Sequence, residues 1–157
     1  MNIFYLSHNP EECAQWHINR HMKLAVEAGQ MLSTTLWELG IEGPYKPTHS
    51  NHPCRLWTKK RDNFIYTLEL GLAICKEYTY RYDKIHASQS KLELIGKHVS
   101  QIPPGSSVPA LAMPEEFRGP DPIESYRAYY RTKTHDRAGR RMDKWTKRNP
   151  PEWFYGE

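Results

Sequence analysis

The sequence predicts an all-α, mainly helical fold: one compact domain over residues 1–157, with about three to four helices joined by long irregular connections. Two long stretches place apolar residues at the 3.6-residue spacing of a helix, and segments rich in glycine and proline separate them. A chain of this length buries about two-thirds of the surface that its unfolded form exposes, which is enough for a sizeable core.

The first predicted helix begins at Pro10 and continues to about Leu39. Asn9 is a favourable N-cap residue, proline is favoured at the first helical position, and Glu11 and Glu12 suit the positive end of the helix dipole. The glycines and prolines that follow residue 39 end the helix. The apolar residues expected on its buried face are Ile18, Met22, Ala25, Leu32 and Leu36.

Three further helices are predicted. The second begins at Asp62 and ends at about Tyr82, with a broad apolar stripe typical of a central, buried helix. A shorter helix covers Ser88–His98, and a last one covers Ile123–Lys147 with an interruption near Gly139. The other segments are a short apolar strand or extended arm at Asn2–Leu6, one helical turn at Arg55–Arg61, and an irregular proline-rich connection at 102–114.

Composition narrows the class of protein. Hydrophobic residues make up 38%, mean hydropathy is −0.81, and no window holds the roughly 18 apolar residues of a membrane span. We expect no membrane partner and no signal peptide. Three widely spaced cysteines are typical of reduced thiols, so a cytoplasmic location is expected. A monomer is favoured, although the sequence leaves the oligomeric state open.

Positive charge is concentrated late in the chain. The net charge of +4 arises because residues 126–148 carry nine basic and two acidic side chains. Aromatic residues make up 12% of the whole chain, and together with this basic segment they favour DNA as the partner, although a solvated basic helix face is the alternative. The cations expected to contact the DNA backbone are Arg127, Arg131, Arg140, Lys144 and Lys147, together with Lys59, Lys60, Arg61 and Arg81 nearer the middle of the chain.

A polar stripe on the first helix is the candidate catalytic surface. Lys23 and Glu27 are one turn apart, which is the spacing of a solvated ion pair or of a carboxylate held by a cation in a site. Arg20 and Gln30 extend the stripe, while His17 and His21 flank it. We predict Glu27, Lys23 and His21 as catalytic residues, and His17, Arg20 and Gln30 as DNA contacts.

A second constellation lies in the loop before the second long helix. His49, Asn51, His52 and Cys54 fall within six residues that prolines bound, which is typical of a positioned loop. We expect His49, Asn51 and His52 to line the mouth of a pocket. No CxxC or HExxH pattern is present, so no metal is predicted, and without a GxGxxG or phosphate-loop motif no cofactor is predicted.

Four segments together resemble the phage pyrimidine-dimer DNA glycosylase family, and the resemblance covers most of the chain. They are Asn51-His52-Pro53, Glu77–Lys84, Met113-Pro114-Glu115-Glu116-Phe117-Arg118-Gly119 and Pro151–Gly156. The resemblance implies a few-helix domain that kinks duplex DNA, extrudes a base, cleaves the glycosidic bond and then the abasic strand. It also implies an amine nucleophile that forms a Schiff base at the sugar C1′, and a glutamate on the first helix.

The catalytic residues of that family match this sequence only in part. The family amine belongs to a threonine exposed by removal of methionine, whereas residue 2 here is Asn2, so we expect Met1 to remain. The family glutamate aligns near Lys23, and Glu27 follows one turn later. Three hypotheses stay open: Glu27 serves with Lys23 or the Met1 amine as nucleophile, the protein is a transferase on a modified pyrimidine, or it binds DNA without chemistry.

Overall fold

The computed structural model describes residues 1–156, and these residues form a mainly α structure. The predicted fold class is confirmed, but three to four helices is too few, since the described chain has seven α-helices and three 3₁₀ turns. The helices are α1 (Pro10–Trp16), α2 (Leu24–Glu38), α3 (Pro53–Trp57), α4 (Arg61–Tyr82), α5 (Gln89–Gly96), α6 (Pro122–Tyr130) and α7 (Glu152–Tyr155), and the 3₁₀ turns are Asn19–Lys23, Val99–Gln101 and Glu115–Phe117.

Helix α4 is the centre of the packing and lies where the sequence predicts it. Its buried face carries Phe64, Leu68, Ile74 and Cys75, and it packs against α1, α2 and α5. The helix ends at Asp83, which adopts the left-handed conformation with φ of 54°. The two longest helices, α2 and α4, contact each other extensively and form the frame on which the rest of the chain is arranged.

The predicted first helix is broken into α1 and α2. His17 and Ile18 are extended because tertiary partners replace helical hydrogen bonds there. The Ile18 N–H donates to the Tyr130 hydroxyl at 2.9 Å, and the Asn19 N–H donates to the Lys144 carbonyl at 2.8 Å. A side-chain hydroxyl and a backbone carbonyl far along the chain therefore accept from the Ile18 and Asn19 N–H groups, so both donors stay paired although the helix is broken.

The predicted last helix is much shorter than expected. Helix α6 ends at Tyr130, and the chain then turns into a short hairpin closed by a bridge between His135 and Arg141. We call residues 134–142 the arginine hairpin. The segment 102–114 contains no helix, as predicted, and the side chain of Asn63 holds it by donating to the Ser107 hydroxyl at 2.9 Å.

The N-terminal arm, residues 1–6, enters the core as an irregular segment in which Phe4 has φ of 43°. Phe4, Tyr5 and Leu6 are buried, and the Asn2 side-chain amide donates to the Ala112 carbonyl at 2.7 Å. The arm therefore lies between α2 and the connection before α6. Among residues 1–156 no helix is both long enough and apolar enough to cross a membrane.

Candidate functional site

The α-amine of Met1 and the carboxylate of Glu27 form the centre of the candidate site. The amine nitrogen lies 3.5 Å from Glu27 Oε1, and the Asn2 N–H donates to the same oxygen at 3.2 Å. The Met1 side chain is 2% exposed and the Glu27 side chain is 21% exposed, so the pair is partly shielded but open to solvent on one side. The first turn of α2 thus presents its carboxylate to the beginning of the chain.

His52 forms the second wall of this site. It is the N-cap of α3, and its Nδ1 accepts a hydrogen bond from the Cys54 N–H at 3.1 Å, which leaves the proton of the neutral ring on Nε2. Burial lowers the pKa of His52, and the charges of the Met1 ammonium and His49 lower it further. A hydrogen bond with the Met1 backbone and the charge of Glu27 act in the opposite direction. His52 therefore lies against Met1 as a neutral imidazole.

The loop that carries His49 and Asn51 is held against α2. The Thr34 hydroxyl donates to the Thr48 carbonyl at 3.1 Å and accepts from the Thr48 N–H at 3.0 Å. His49 and Asn51 are exposed on this ordered loop, and Gln30 is half-buried on the same helix as Glu27. The structure thus places the two loop residues at the surface beside His52, and their position at the mouth of a pocket stays a prediction.

Lys133 flanks the other side of the N-terminal arm. The Phe4 ring lies between the rings of His21 and Tyr129, with centroids 4.7 and 5.9 Å away. Lys133 Nζ is 4.3 Å from the centre of the Tyr129 ring and donates to its hydroxyl at 3.2 Å. Lys23 is exposed at the start of α2. The sequence prediction did not include Lys133. Its position four residues after Tyr129 is the spacing at which two side chains on a helix lie next to each other, and could have indicated this contact.

His17 and His21 are core residues, which corrects two predictions. His17 is fully buried, its Nδ1–H donates to the Cys13 carbonyl at 2.6 Å, and burial lowers its pKa to about 4. His21 Nδ1 lies 2.7 Å from the Tyr130 hydroxyl, and burial also lowers the pKa of His21 well below its usual value. Because Phe4 covers the His21 ring, neither imidazole is presented for phosphate contact or proton transfer in this structure.

Arg81 and Arg61 are structural rather than surface cations. Arg81 is 3% exposed and donates to Glu77, to the Asn19 side-chain oxygen and to the Gln15 carbonyl at 2.8–3.0 Å. Arg61 donates from Nε to the Ile102 carbonyl at 3.0 Å, which fixes the connection after α5. The predicted DNA contact is therefore wrong for buried Arg81, and the Arg61 guanidinium is already committed to the protein backbone.

Arg127 and Arg131 hold the aromatic end of the chain. Arg127 donates to the Leu6 carbonyl at 3.1 Å and lies 5.0 and 5.3 Å from the ring centres of Trp16 and Trp153. Arg131 donates to the Trp153 carbonyl at 2.8 Å. These contacts correct the prediction that both arginines serve mainly as phosphate ligands, since each guanidinium ties elements of the fold together.

The remaining predicted cations are exposed. Arg20 and Arg140 share the carboxylate of Asp136, with distances of 2.8 and 2.9 Å. Lys59 lies 3.8 Å from Glu38, and Lys147 donates to the Tyr80 carbonyl at 3.0 Å. Lys60 and Lys144 are exposed as well. Their positions are compatible with a polyanion contact.

The three cysteines within residues 1–156 are buried and are not presented as nucleophiles. Burial raises the pKa of Cys13 and Cys54 to about 11 and that of Cys75 to about 12, which keeps all three thiols protonated at neutral pH. Over residues 1–156 no three or more histidine, cysteine, aspartate or glutamate side chains are grouped to hold a metal ion. An amine beside a carboxylate can add to an electrophilic carbon while the carboxylate accepts or stabilises charge.

Comparisons with models of known protein families, with curated proteins and with solved structures found no match.

Proposed function

We propose that the protein is a DNA glycosylase with abasic-site lyase activity that acts on damaged or modified pyrimidines after base extrusion. The observation that carries this proposal is the 3.5 Å approach of the Met1 α-amine to Glu27 inside the anchored N-terminal arm. The resemblance of four sequence segments to pyrimidine-dimer glycosylases supports the same chemistry. The exposed cations around the arm support a polyanionic substrate.

An α-amine suits this role better than a lysine. The Met1 amine is held by the buried arm, whereas Lys23 is exposed. We therefore assign Met1 as the nucleophile and Lys23 as a cation that faces the bound strand.

The proposed reaction has two stages. The Met1 amine attacks C1′, the bond between C1′ and the pyrimidine nitrogen breaks, and the base leaves with that electron pair and gains a proton. The nitrogen then loses a proton to Glu27 and its electron pair forms the C=N bond, while the C1′–O4′ bond breaks and O4′ leaves with that electron pair and takes up a proton, which opens the sugar ring. Loss of a C2′ proton next expels the 3′ phosphate, which cuts the strand. Glu27 stabilises the positive charge at C1′ and accepts protons from the amine and sugar.

Borohydride trapping tests the proposal directly. The duplexes contain a thymine dimer, an abasic site or a 5-substituted pyrimidine, and peptide mass spectrometry locates any reduced adduct. We expect an adduct on Met1 with at least one duplex. Intact mass is measured first, because the proposal requires Met1 to be the first residue of the protein used. Absence of an adduct on all three duplexes would overturn the lyase assignment.

The Glu27→Gln variant tests the carboxylate. Loss of the charge beside C1′ should lower the rate of base release by about 10²–10⁴-fold, the usual range for general acid–base groups. Glu42→Gln changes an exposed glutamate outside the site and is the matched control. Nucleoside mass spectrometry follows released bases. An altered but unreleased base would favour a transferase, and unaltered DNA with tight binding would favour a binding module.

A further inference from the structure

The arginine hairpin is a built turn rather than a loose basic loop. The Asp136 N–H donates to the Arg140 carbonyl at 2.9 Å, and the Gly139 N–H donates to the Asp136 carbonyl at 3.0 Å. Gly139 has φ of +79°, the left-handed conformation that closes a three-residue hairpin loop. The Met142 N–H donates to the Thr134 carbonyl at 2.8 Å and continues the pairing. The tip, residues 137–139, therefore has a defined shape before any partner binds.

Asp136 organises the cations at this tip. Its Oδ1 accepts from the backbone N–H groups of Ala138 and Arg140 at 2.9 Å, and its Oδ2 accepts from the Arg20 and Arg140 side chains. These hydrogen bonds hold the pKa of Asp136 well below its usual range. One carboxylate thus orients two exposed guanidinium groups. Arg137 is exposed at the tip and has no ion pair within residues 1–156.

The hairpin stands beside the candidate site. Lys133, just before the hairpin, covers the Phe4 ring of the N-terminal arm, with Nζ 5.9 Å from the ring centre. Arg20, which binds the tip through Asp136, belongs to the 3₁₀ turn that leads into α2 and Glu27. A duplex placed with one nucleotide at the Met1 amine would therefore extend towards the hairpin.

We infer that the arginine hairpin enters the major groove of duplex DNA next to the reacting nucleotide, where Arg137 and Arg140 donate to guanine base edges. This inference rests on the proposed function. The major groove of B-form DNA, about 12 Å wide, admits a two-stranded ribbon, and the planar guanidinium matches the O6 and N7 acceptors of guanine. Asp136 orients the Arg140 guanidinium, and Arg137 is exposed on the same defined turn, so the tip presents both side chains together to a base edge.

Fluorescence anisotropy with an uncleavable abasic-analogue duplex tests the inference. A guanine-containing flank is compared with the same flank carrying 7-deazaguanine, which lacks the N7 acceptor. We expect the wild-type protein to bind the 7-deaza duplex about tenfold more weakly, the effect of losing one good base contact. Arg137→Ala and Arg140→Ala should each weaken binding to the guanine duplex and reduce this difference, while Lys97→Ala, a distant exposed lysine on the protein surface, should change neither.

Arg137→Lys separates base contacts from charge. Lysine keeps the charge but loses the planar fork, so we expect it to behave like Arg137→Ala. If Arg137→Lys binds both duplexes as the wild-type protein does, or if netropsin in the minor groove displaces the protein, groove insertion is overturned. Trapping on Met1 together with unchanged binding by the arginine variants would refute only this inference. Absence of both DNA binding and trapping would refute the proposed function itself.

Discussion

At the scale of single residues, burial decides which polar side chains can act. His17 and His21 lie in the same stretch as Lys23 and Glu27, but the break between α1 and α2 directs the two imidazoles into the core. Glu27 remains at the surface because α2 turns it towards the N-terminal arm, where the Met1 amine is its partner. The charged groups at the centre of the candidate site are thus the Met1 amine and the Glu27 carboxylate, and His52 is their neutral neighbour.

The buried His17 predicts acid sensitivity. Its pKa is about 4 in the folded protein and about 6.5 in an unfolded chain, so the unfolded state binds more protons between these values. Stability is therefore complete above about pH 6.5 and falls as the pH decreases towards about 4. Urea unfolding at pH 7.5 and 4.5 measures the loss.

The substitution His17→Gln should reduce this loss of unfolding free energy, because glutamine can still donate a hydrogen bond but does not titrate. His98→Gln changes a more exposed histidine on the surface and is the matched control. An equal loss in His17→Gln and in the wild-type protein would show that another group is responsible.

At the scale of elements, one carboxylate on α4 joins three parts of the chain. Burial alone would raise the pKa of Glu77, but hydrogen bonds from Arg148 and Arg81 hold that pKa below its usual value. Arg81 continues to Asn19 and Gln15, so the network connects α4 to α1, to the 3₁₀ turn and to the C-terminal segment. These contacts position the turn that leads into α2 and the site.

The substitution Glu77→Gln should destabilise the protein by about 3–5 kcal/mol, because the buried Arg81 guanidinium loses its counter-charge. Glu11→Gln is the matched control, since it removes an exposed ion pair with Lys76 and should change stability by less than about 1 kcal/mol. Urea unfolding at neutral pH measures both. Similar small effects of the two variants would contradict the structural role of the network.

Helical periodicity correctly predicted the elements that depend on neighbouring residues. It was wrong where contacts with residues distant in the sequence determine the end of a helix. The stripe of α4 and the cap at Asn9 are local features, and both are confirmed. The end of α1 depends on Tyr130 and Lys144, more than 110 residues away, and no local pattern reports such contacts. Glu27 was recognisable from its helical spacing, but its partner became evident only when the arm was placed.

At the scale of the whole molecule, the sites of positive charge divide into two groups. Arg61, Arg81, Arg127 and Arg131 hold elements together, whereas lysines and the hairpin arginines face solvent. The excess positive charge of residues 126–148 therefore does not form one uniform face of a helix. Part of it stabilises the fold, and the exposed part is available to a polyanion.

The salt dependence of the affinity for DNA should reflect only the exposed cations. Lys144→Ala should reduce the slope of log affinity against log salt by about 1, the effect of losing one phosphate contact. Anisotropy with undamaged duplex between about 50 and 200 mM salt measures the slope. Lys97→Ala should leave it unchanged. A slope in Lys144→Ala equal to that of the wild-type protein would exclude a phosphate contact at this position.

The proposed function requires the α-amine of Met1, at the start of the anchored N-terminal arm, to be unmodified. A formyl, acetyl or fused peptide group on Met1 converts the amine to an amide, which has neither a positive charge for Glu27 nor a nucleophilic electron pair. Because the Met1 side chain is almost wholly buried, such a group would also need space within a packed arm. Under the proposed function, such a group would therefore have to be removed before the Met1 amine could react.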